Sequence, residues 1–177
     1  MSFTIWITGL AGSGKTTMAS VTAELLLTEN IEHRVIDGDE LRRGLCADLG
    51  YGRDDRRENI RRAADLCQNL NSNGIATVAA LISPYRDDRE MARQIIGSDR
   101  FHEFYLSTPL QVCEARDPKG LYRRARMGEI AEFTGVSSPY EEPIAPQLTL
   151  NTHALSLSEC IVKIHNIFDI INQVLSI

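Results

Sequence analysis

The stretch Gly9-Leu10-Ala11-Gly12-Ser13-Gly14-Lys15-Thr16 decides how this chain folds. It matches the phosphate-binding pattern GxxxxGK[ST] in full. The run before it, Phe3-Thr4-Ile5-Trp6-Ile7-Thr8, is apolar, β-branched and aromatic, as a buried strand requires; Thr16-Thr17-Met18-Ala19 begins a helical pattern. Strand, glycine-rich turn and helix place backbone N–H groups around a phosphate at a helix N-terminus. Gly9, Leu10, Ala11, Gly12, Ser13, Gly14, Lys15, Thr16 and Thr17 are therefore the expected contacts of a nucleoside triphosphate. Lys15 reaches the β/γ phosphates, and the Thr16 hydroxyl is the expected Mg²⁺ ligand.

The rest of the chain supports one α/β core. At 177 residues it is long enough for one domain and short for two. A helix is expected from Lys15 to Glu29 and a strand over His33–Asp37. A long helix runs from Asp54 or Asp55, either of which can cap it, to Asn73, where Gly74 ends it. Its apolar residues Ile60, Ala63, Ala64, Cys67 and Leu70 recur at intervals of three and four. The nearly continuous apolar run from Ile75 to Ile82 reads as a central parallel strand. A helix over Asp87–Ile96, a strand over Phe101–Leu106 and a short helix from Pro109 to Glu114 follow. Residues 116–146 are polar and rich in arginine, glycine and proline; they read as a mobile excursion with one short helix near Tyr122–Met127. A strand at Gln147–Leu150 and an amphipathic helix from Ser158 to Val174 close the domain. Alternating strands and helices imply a mostly parallel sheet covered on both sides.

Composition excludes several classes. With 43 % hydrophobic and 24 % charged residues, the chain is ordinary for a globular protein. No apolar run approaches the roughly 20 residues that cross a bilayer, and no basic segment precedes the first apolar run, so neither a membrane span nor a secretory leader is expected. Cys46, Cys67, Cys113 and Cys160 are dispersed, with no zinc spacing, and read as free thiols of a reducing cytoplasm. The net charge of −5 argues against a nucleic-acid surface. Sixteen arginines face only three lysines, and every arginine lies between Arg34 and Arg126. A planar guanidinium holds phosphate or sulfate through paired hydrogen bonds, so the middle of the chain is where an anionic substrate belongs.

The second strand ends in Asp37-Gly38-Asp39, where open α/β sheets gather ligands beyond their carboxyl ends. Asp39 is the preferred acceptor of a proton from a substrate hydroxyl, and Asp37 the weaker candidate. Asp39 is also a favoured cap for a helix starting at Glu40. Arg42 stands three residues on, and Arg56 and Asn59 share helical i,i+3 spacing at the polar start of the long helix. Together these features point to a small-molecule kinase.

Six stretches make a more particular match: GLAGSGKTT (9–17), DGDELRRGLCADLG (37–50), DRRENIRR (55–62), ISPYRDDR (82–89), RDPKGLY (116–122) and FTGVSSPY (133–140) with Pro143. In this order they resemble the adenylylsulfate kinase (APS kinase) family of phosphate-loop kinases. The resemblance implies a three-layer α/β/α fold with a mostly parallel central sheet and a mobile lid over 116–146. It implies ATP- and Mg²⁺-dependent phosphorylation of the 3′-hydroxyl of adenosine 5′-phosphosulfate (APS), giving 3′-phosphoadenosine 5′-phosphosulfate (PAPS) and ADP in sulfate assimilation.

By that resemblance Asp39, Lys15 and Ser83 are the catalytic residues, Ser83 through phosphate or substrate contact. Arg116 joins the ATP contacts. Asp39, Arg42, Tyr51, Arg56, Asn59, Ile82, Ser83, Lys119, Leu121 and Phe133 hold APS, with Tyr51 and Phe133 on opposite faces of its adenine. A cytoplasmic homodimer is implied, without nucleic-acid or membrane partners. The chain starts two residues before its first strand, without the N-terminal segment of many family members, and reads as a single stand-alone kinase domain. The alternatives are a kinase for another hydroxyl-bearing small molecule and a non-catalytic nucleotide-dependent module. A GTP-driven switch is disfavoured, since no N-K-x-D sequence is present.

Overall fold

The structure is a computed structural model that describes residues 2–175. Its first strand, β1 (Thr4–Gly9), is buried at every residue and leads through the glycine-rich turn into α1 (Lys15–Thr28). Then come β2 (His33–Asp37), α2 (Gly38–Arg43), α3 (Arg53–Ser72), β3 (Ala76–Ala80), α4 (Arg86–Ile96), β4 (Phe101–Leu106), α5 (Leu110–Arg116), α6 (Leu121–Arg126), β5 (Leu148–Leu150) and α7 (Leu157–Leu175). The five strands form one parallel sheet in the order β2-β3-β1-β4-β5.

Period-two alternation in strands covered on both faces explains the core. Ile5 and Ile7 of β1, Val78 of β3 and Phe104 and Leu106 of β4 pack with Met18 and Leu26 of α1 and with Ile164 and Phe168 of α7. Their alternates Trp6, Ala79 and Phe101 pack with Ile60, Ala63 and Cys67 of α3 and Ala92 of α4. This is the expected three-layer α/β/α arrangement. The chain leaves β1 toward β2, whereas β3 is followed across β1 by β4, so the connections diverge above the central strands. The phosphate loop lies there, at the carboxyl end of β1.

Several element ends differ from expectation. The cap of α3 is Gly52 rather than Asp54 or Asp55; both carboxylates lie inside the first turn, where they favour the helix dipole. Asp39 does not cap α2 either. Asp37 does, its Oδ1 accepting the Asp39 N–H at 2.8 Å. Pro109 stands at the cap of α5 rather than inside the helix.

Candidate active site

The phosphate loop is held from behind by its carbonyls. Lys15 Nζ donates to the carbonyls of Gly9 (3.0 Å) and Leu10 (2.7 Å). Tyr122 Oη donates to that of Ala11 (2.9 Å), Arg116 Nη1 to that of Gly12 (3.3 Å), and Thr152 Oγ1 to that of Ser13 (2.8 Å). Fixing the carbonyl side of each peptide sets the direction of its N–H side, which is what a phosphate cradle needs. Gly12 is required sterically: a Cβ there would lie 2.8 Å from the Cys113 carbonyl oxygen, and its φ is +75°. Gly14, at φ +98°, turns the chain into α1. Removal from water pulls the Lys15 ammonium down to about 8, against the opposing pull of Cys113, Asp37 and Asp39.

Beside the loop, Thr16 Oγ1 donates to Asp37 Oδ2 at 3.1 Å. A hydroxyl next to a carboxylate suits Mg²⁺, which takes few protein ligands and completes its octahedron with water and phosphate oxygens. The donor set fits that ion, with Thr16 as ligand and Asp37 beside it. Asp39, one turn-position further, pairs with Lys119 Nζ from the segment between α5 and α6. Both side chains of this pair are more than half exposed, so it is weak and exchangeable.

The acceptor side is built from α2, α3 and the segment after α6. Tyr51 is exposed, with the Arg42 guanidinium 4.6 Å from its ring centroid. Arg42 also donates to the Leu49 carbonyl at 3.2 Å. Arg56 is buried; its Nε donates to the Tyr51 carbonyl (2.8 Å) and its Nη2 to that of Glu132 (2.7 Å). No carboxylate pairs with it among the described residues, and burial, with Arg42 nearby, pulls it below the usual arginine range. One helical turn on, Asn59 is buried and its Nδ2 has no partner among the described residues. A buried cation without a counter-ion beside an orphaned amide donor is a site for an anion.

Contacts through the 117–139 segment join the two halves. Glu132, at φ +53°, turns its carbonyl onto Arg56; the adjacent Phe133 packs edge-on against Tyr122 with ring centroids 5.0 Å apart; and Tyr122 holds the phosphate loop. Leu121 joins the same cluster. Phe133 is thus buried against Tyr122 in this arrangement rather than standing open beside Tyr51.

The hydroxyl of Ser83, expected to contact phosphate or substrate, faces the interior in this structure. Its Oγ is buried, accepts from Trp6 Nε1 (3.1 Å) and donates to Thr8 Oγ1 (3.0 Å). Thr8 in turn donates to the Ile82 carbonyl at 2.7 Å. With its one proton committed to the interior, the hydroxyl shapes the turn after β3.

Residues that sequence spacing missed lie on the donor side. Thr152, just past β5, binds Ser13 and receives Arg116 through both Oγ1 (2.9 Å) and its carbonyl (2.8 Å). With Gly14, Thr17, Arg116 and Leu155 it lines a cavity of about 200 Å³ at the start of α1. Its position beyond a strand's carboxyl end was the available signal. Tyr122 carried none, because its contact with Ala11 spans 111 residues.

The Adenylylsulphate kinase family model matches residues 1–151. The adenylyl-sulfate kinase of Bacillus pumilus is 49 % identical over 155 residues, covering 88 % of this chain and 79 % of that protein. That of Clostridium kluyveri is 47 % identical over 160 residues, covering 90 % and 80 %. Among solved structures, the Mycobacterium tuberculosis APS kinase in complex with AMPPNP and APS superposes with a TM-score of 0.88. It is 41 % identical and covers 97 % of this chain and 98 % of that one.

Proposed function

This chain belongs to the adenylylsulphate kinase family, and from that premise we infer that it transfers the γ-phosphate of ATP to the 3′-hydroxyl of APS. The products are PAPS and ADP, in sulfate assimilation. The observation that carries the acceptor side is the buried, carboxylate-free Arg56 beside the unpartnered Nδ2 of Asn59.

Phosphoryl transfer asks for positioning and charge neutralisation more than covalent chemistry. The loop amides and Lys15 bind the β/γ phosphates, Lys15 exchanging the Gly9 and Leu10 carbonyls for phosphate oxygens. Thr16 would hold Mg²⁺, with Asp37 beside it, and the ion would supply neutralisation of phosphate charge. Arg116 and Thr152 hold the base side of ATP. Arg56 and Asn59 bind the anionic end of APS, Arg42 and Tyr51 brace its adenine, and Ile82 and Phe133 border it. Asp39 accepts the proton of the attacking 3′-hydroxyl, and Lys119 leaves Asp39 for the bridging phosphates. The lid is the part between Arg116, tied to Thr152, and Tyr140, tied to Thr8 at 2.9 Å. That is shorter at its far end than the polar stretch of sequence.

Among the described residues no helix is long and apolar enough to cross a membrane. The four free, buried cysteines support a reducing cytoplasm, and a homodimer is the expected assembly, to be read by light scattering. The activity is tested by coupled ADP release with APS, with AMP and with simple sugars. Turnover should require the sulfated nucleotide; equal turnover with AMP or preference for a sugar would overturn the acceptor assignment.

A further inference from the structure

Arg89 lies in the second turn of α4, is buried, and takes no part in the chemistry above. Its guanidinium is spent in three directions: Nε to Glu103 Oε1 (2.8 Å), Nη1 to the Ser83 carbonyl (2.7 Å) and Nη2 to the Glu141 carbonyl (2.7 Å). Glu103 belongs to β4, Ser83 to the turn after β3, and Glu141 to the chain returning from the lid. One side chain therefore joins the sheet, the acceptor-side turn and the rear of the lid.

Both joined segments need holding. Ser83 is a non-glycine residue at φ +38°, a strained conformation that persists only where its surroundings over-determine it. Trp6 and Thr8 fix its hydroxyl, and Arg89 fixes its carbonyl. The return segment is fastened to the same helix. The Arg86 N–H donates to Glu141 Oε2 (2.9 Å), Arg86 Nε to the Glu142 carbonyl (2.7 Å), and the Glu141 N–H to the Pro84 carbonyl (2.8 Å). Tyr140 closes the loop of contacts, its ring 5.9 Å from the Arg89 guanidinium and its hydroxyl on Thr8 at 2.9 Å. Thr8 is the last residue before the phosphate loop and also holds the Ile82 carbonyl. The brace thus reaches donor and acceptor sides from beneath.

We propose that Arg89 is a positioning residue for the acceptor nucleotide: through Ser83 and Glu141 it sets the Ile82–Ser83 turn and the base of the lid at the distance APS requires. This rests on the reading of Ile82 as a border of the APS site, with the Ser83 peptide completing the same turn. Lysine cannot replace it, because an ammonium lacks the planar fork that serves two carbonyls and a carboxylate at once.

The test measures KM for APS, KM for ATP and kcat for Arg89→Lys and Tyr140→Phe, with AMPPNP binding and thermal melts alongside. Tyr140→Phe removes only the hydroxyl from the brace and keeps the ring, so it reports even where Arg89→Lys fails to fold. Misplacing a bound group by about 1 Å can cost up to about a hundredfold in rate. The expected result is a rise in KM for APS of about tenfold in Arg89→Lys and about threefold in Tyr140→Phe, with KM for ATP and AMPPNP binding within about twofold of wild type. An unchanged KM for APS in folded Arg89→Lys, or in Tyr140→Phe, would overturn the proposal, as would parallel losses for APS and ATP. Wild-type protein that releases no ADP with APS would instead overturn the acceptor assignment on which the proposal stands.

Discussion

Replacing Asp39 with Asn and Asp37 with Ala separates two roles that sequence alone assigns to the same short segment. The cap of α2 is Asp37, whose Oδ1 accepts the Asp39 backbone N–H at 2.8 Å. That bond does not involve the Asp39 side chain, so Asp39→Asn leaves the cap intact. Among the described residues the Asp39 carboxylate meets only exposed Lys119, a pair worth under about 1 kcal/mol. Its loss should therefore barely move the melting temperature. The chemistry should change far more. A positioned general base contributes about 10²–10⁴ in rate, or about 3–5 kcal/mol of barrier. Asp37→Ala should show the reverse bias. It removes a cap worth about 1 kcal/mol and the Thr16 tether at 3.1 Å. For a chain of this size that lowers the melting temperature by about 2–4 °C, while turnover falls less than in Asp39→Asn. The assay is coupled ADP release at saturating ATP and APS, with melts and AMPPNP binding on the same preparations. Asp39→Asn with wild-type turnover would refute the base assignment; Asp39→Asn melting below Asp37→Ala would refute the cap.

Lys15, brought down to about 8 from its ordinary 10.5, leaves the folded chain with fewer bound protons than the unfolded chain between those pH values. Stability should therefore rise with pH across that window, and Lys15→Met should flatten the rise in urea titrations. Phosphate oxygens restore its charge, so Mg·ATP binding at about pH 8.5 should take up protons; calorimetric heats that do not depend on buffer ionisation would contradict this. Arg116→Ala removes bonds to Thr152 and the Gly12 carbonyl. It should raise KM for ATP about tenfold with KM for APS nearly unchanged, given charge-assisted bonds worth about 1.5–3 kcal/mol each; an unmoved KM for ATP would make Arg116 a surface strut. Asn59→Leu removes a buried donor without a partner, a burden of about 1–3 kcal/mol. Its melting temperature should match or exceed wild type while KM for APS rises at least about tenfold; lower stability with unchanged KM would show that Asn59 serves the core.

Covalent spacing made the backbone frame legible. The bounds of β2 and β4 match the residues read from sequence, because β-branched and aromatic residues between turn signals mark strands even where, as in β2, only Ile36 is buried. The glycine-lysine turn fixed the donor half for the same local reason: its N–H groups and Lys15 lie within eight consecutive residues. Motif order then pointed to Asp39, Arg56 and Asn59 as the acceptor half. What the sequence left undecided was the partner of each side chain. The cap at Asp37 rather than Asp39 depends on where α2 begins, a shift of two residues that periodicity does not register. The inward-facing hydroxyl of Ser83 depends on its positive φ and on Trp6 and Thr8, more than seventy residues away in the chain. Tyr122 behind the loop, Thr152 beside it and Arg89 beneath the acceptor turn likewise act through contacts that exist only once parallel crossovers have brought distant strand ends together. Local geometry is written in spacing, whereas the direction of a buried polar side chain is set by whichever distant group satisfies it, and only the folded sheet decides that.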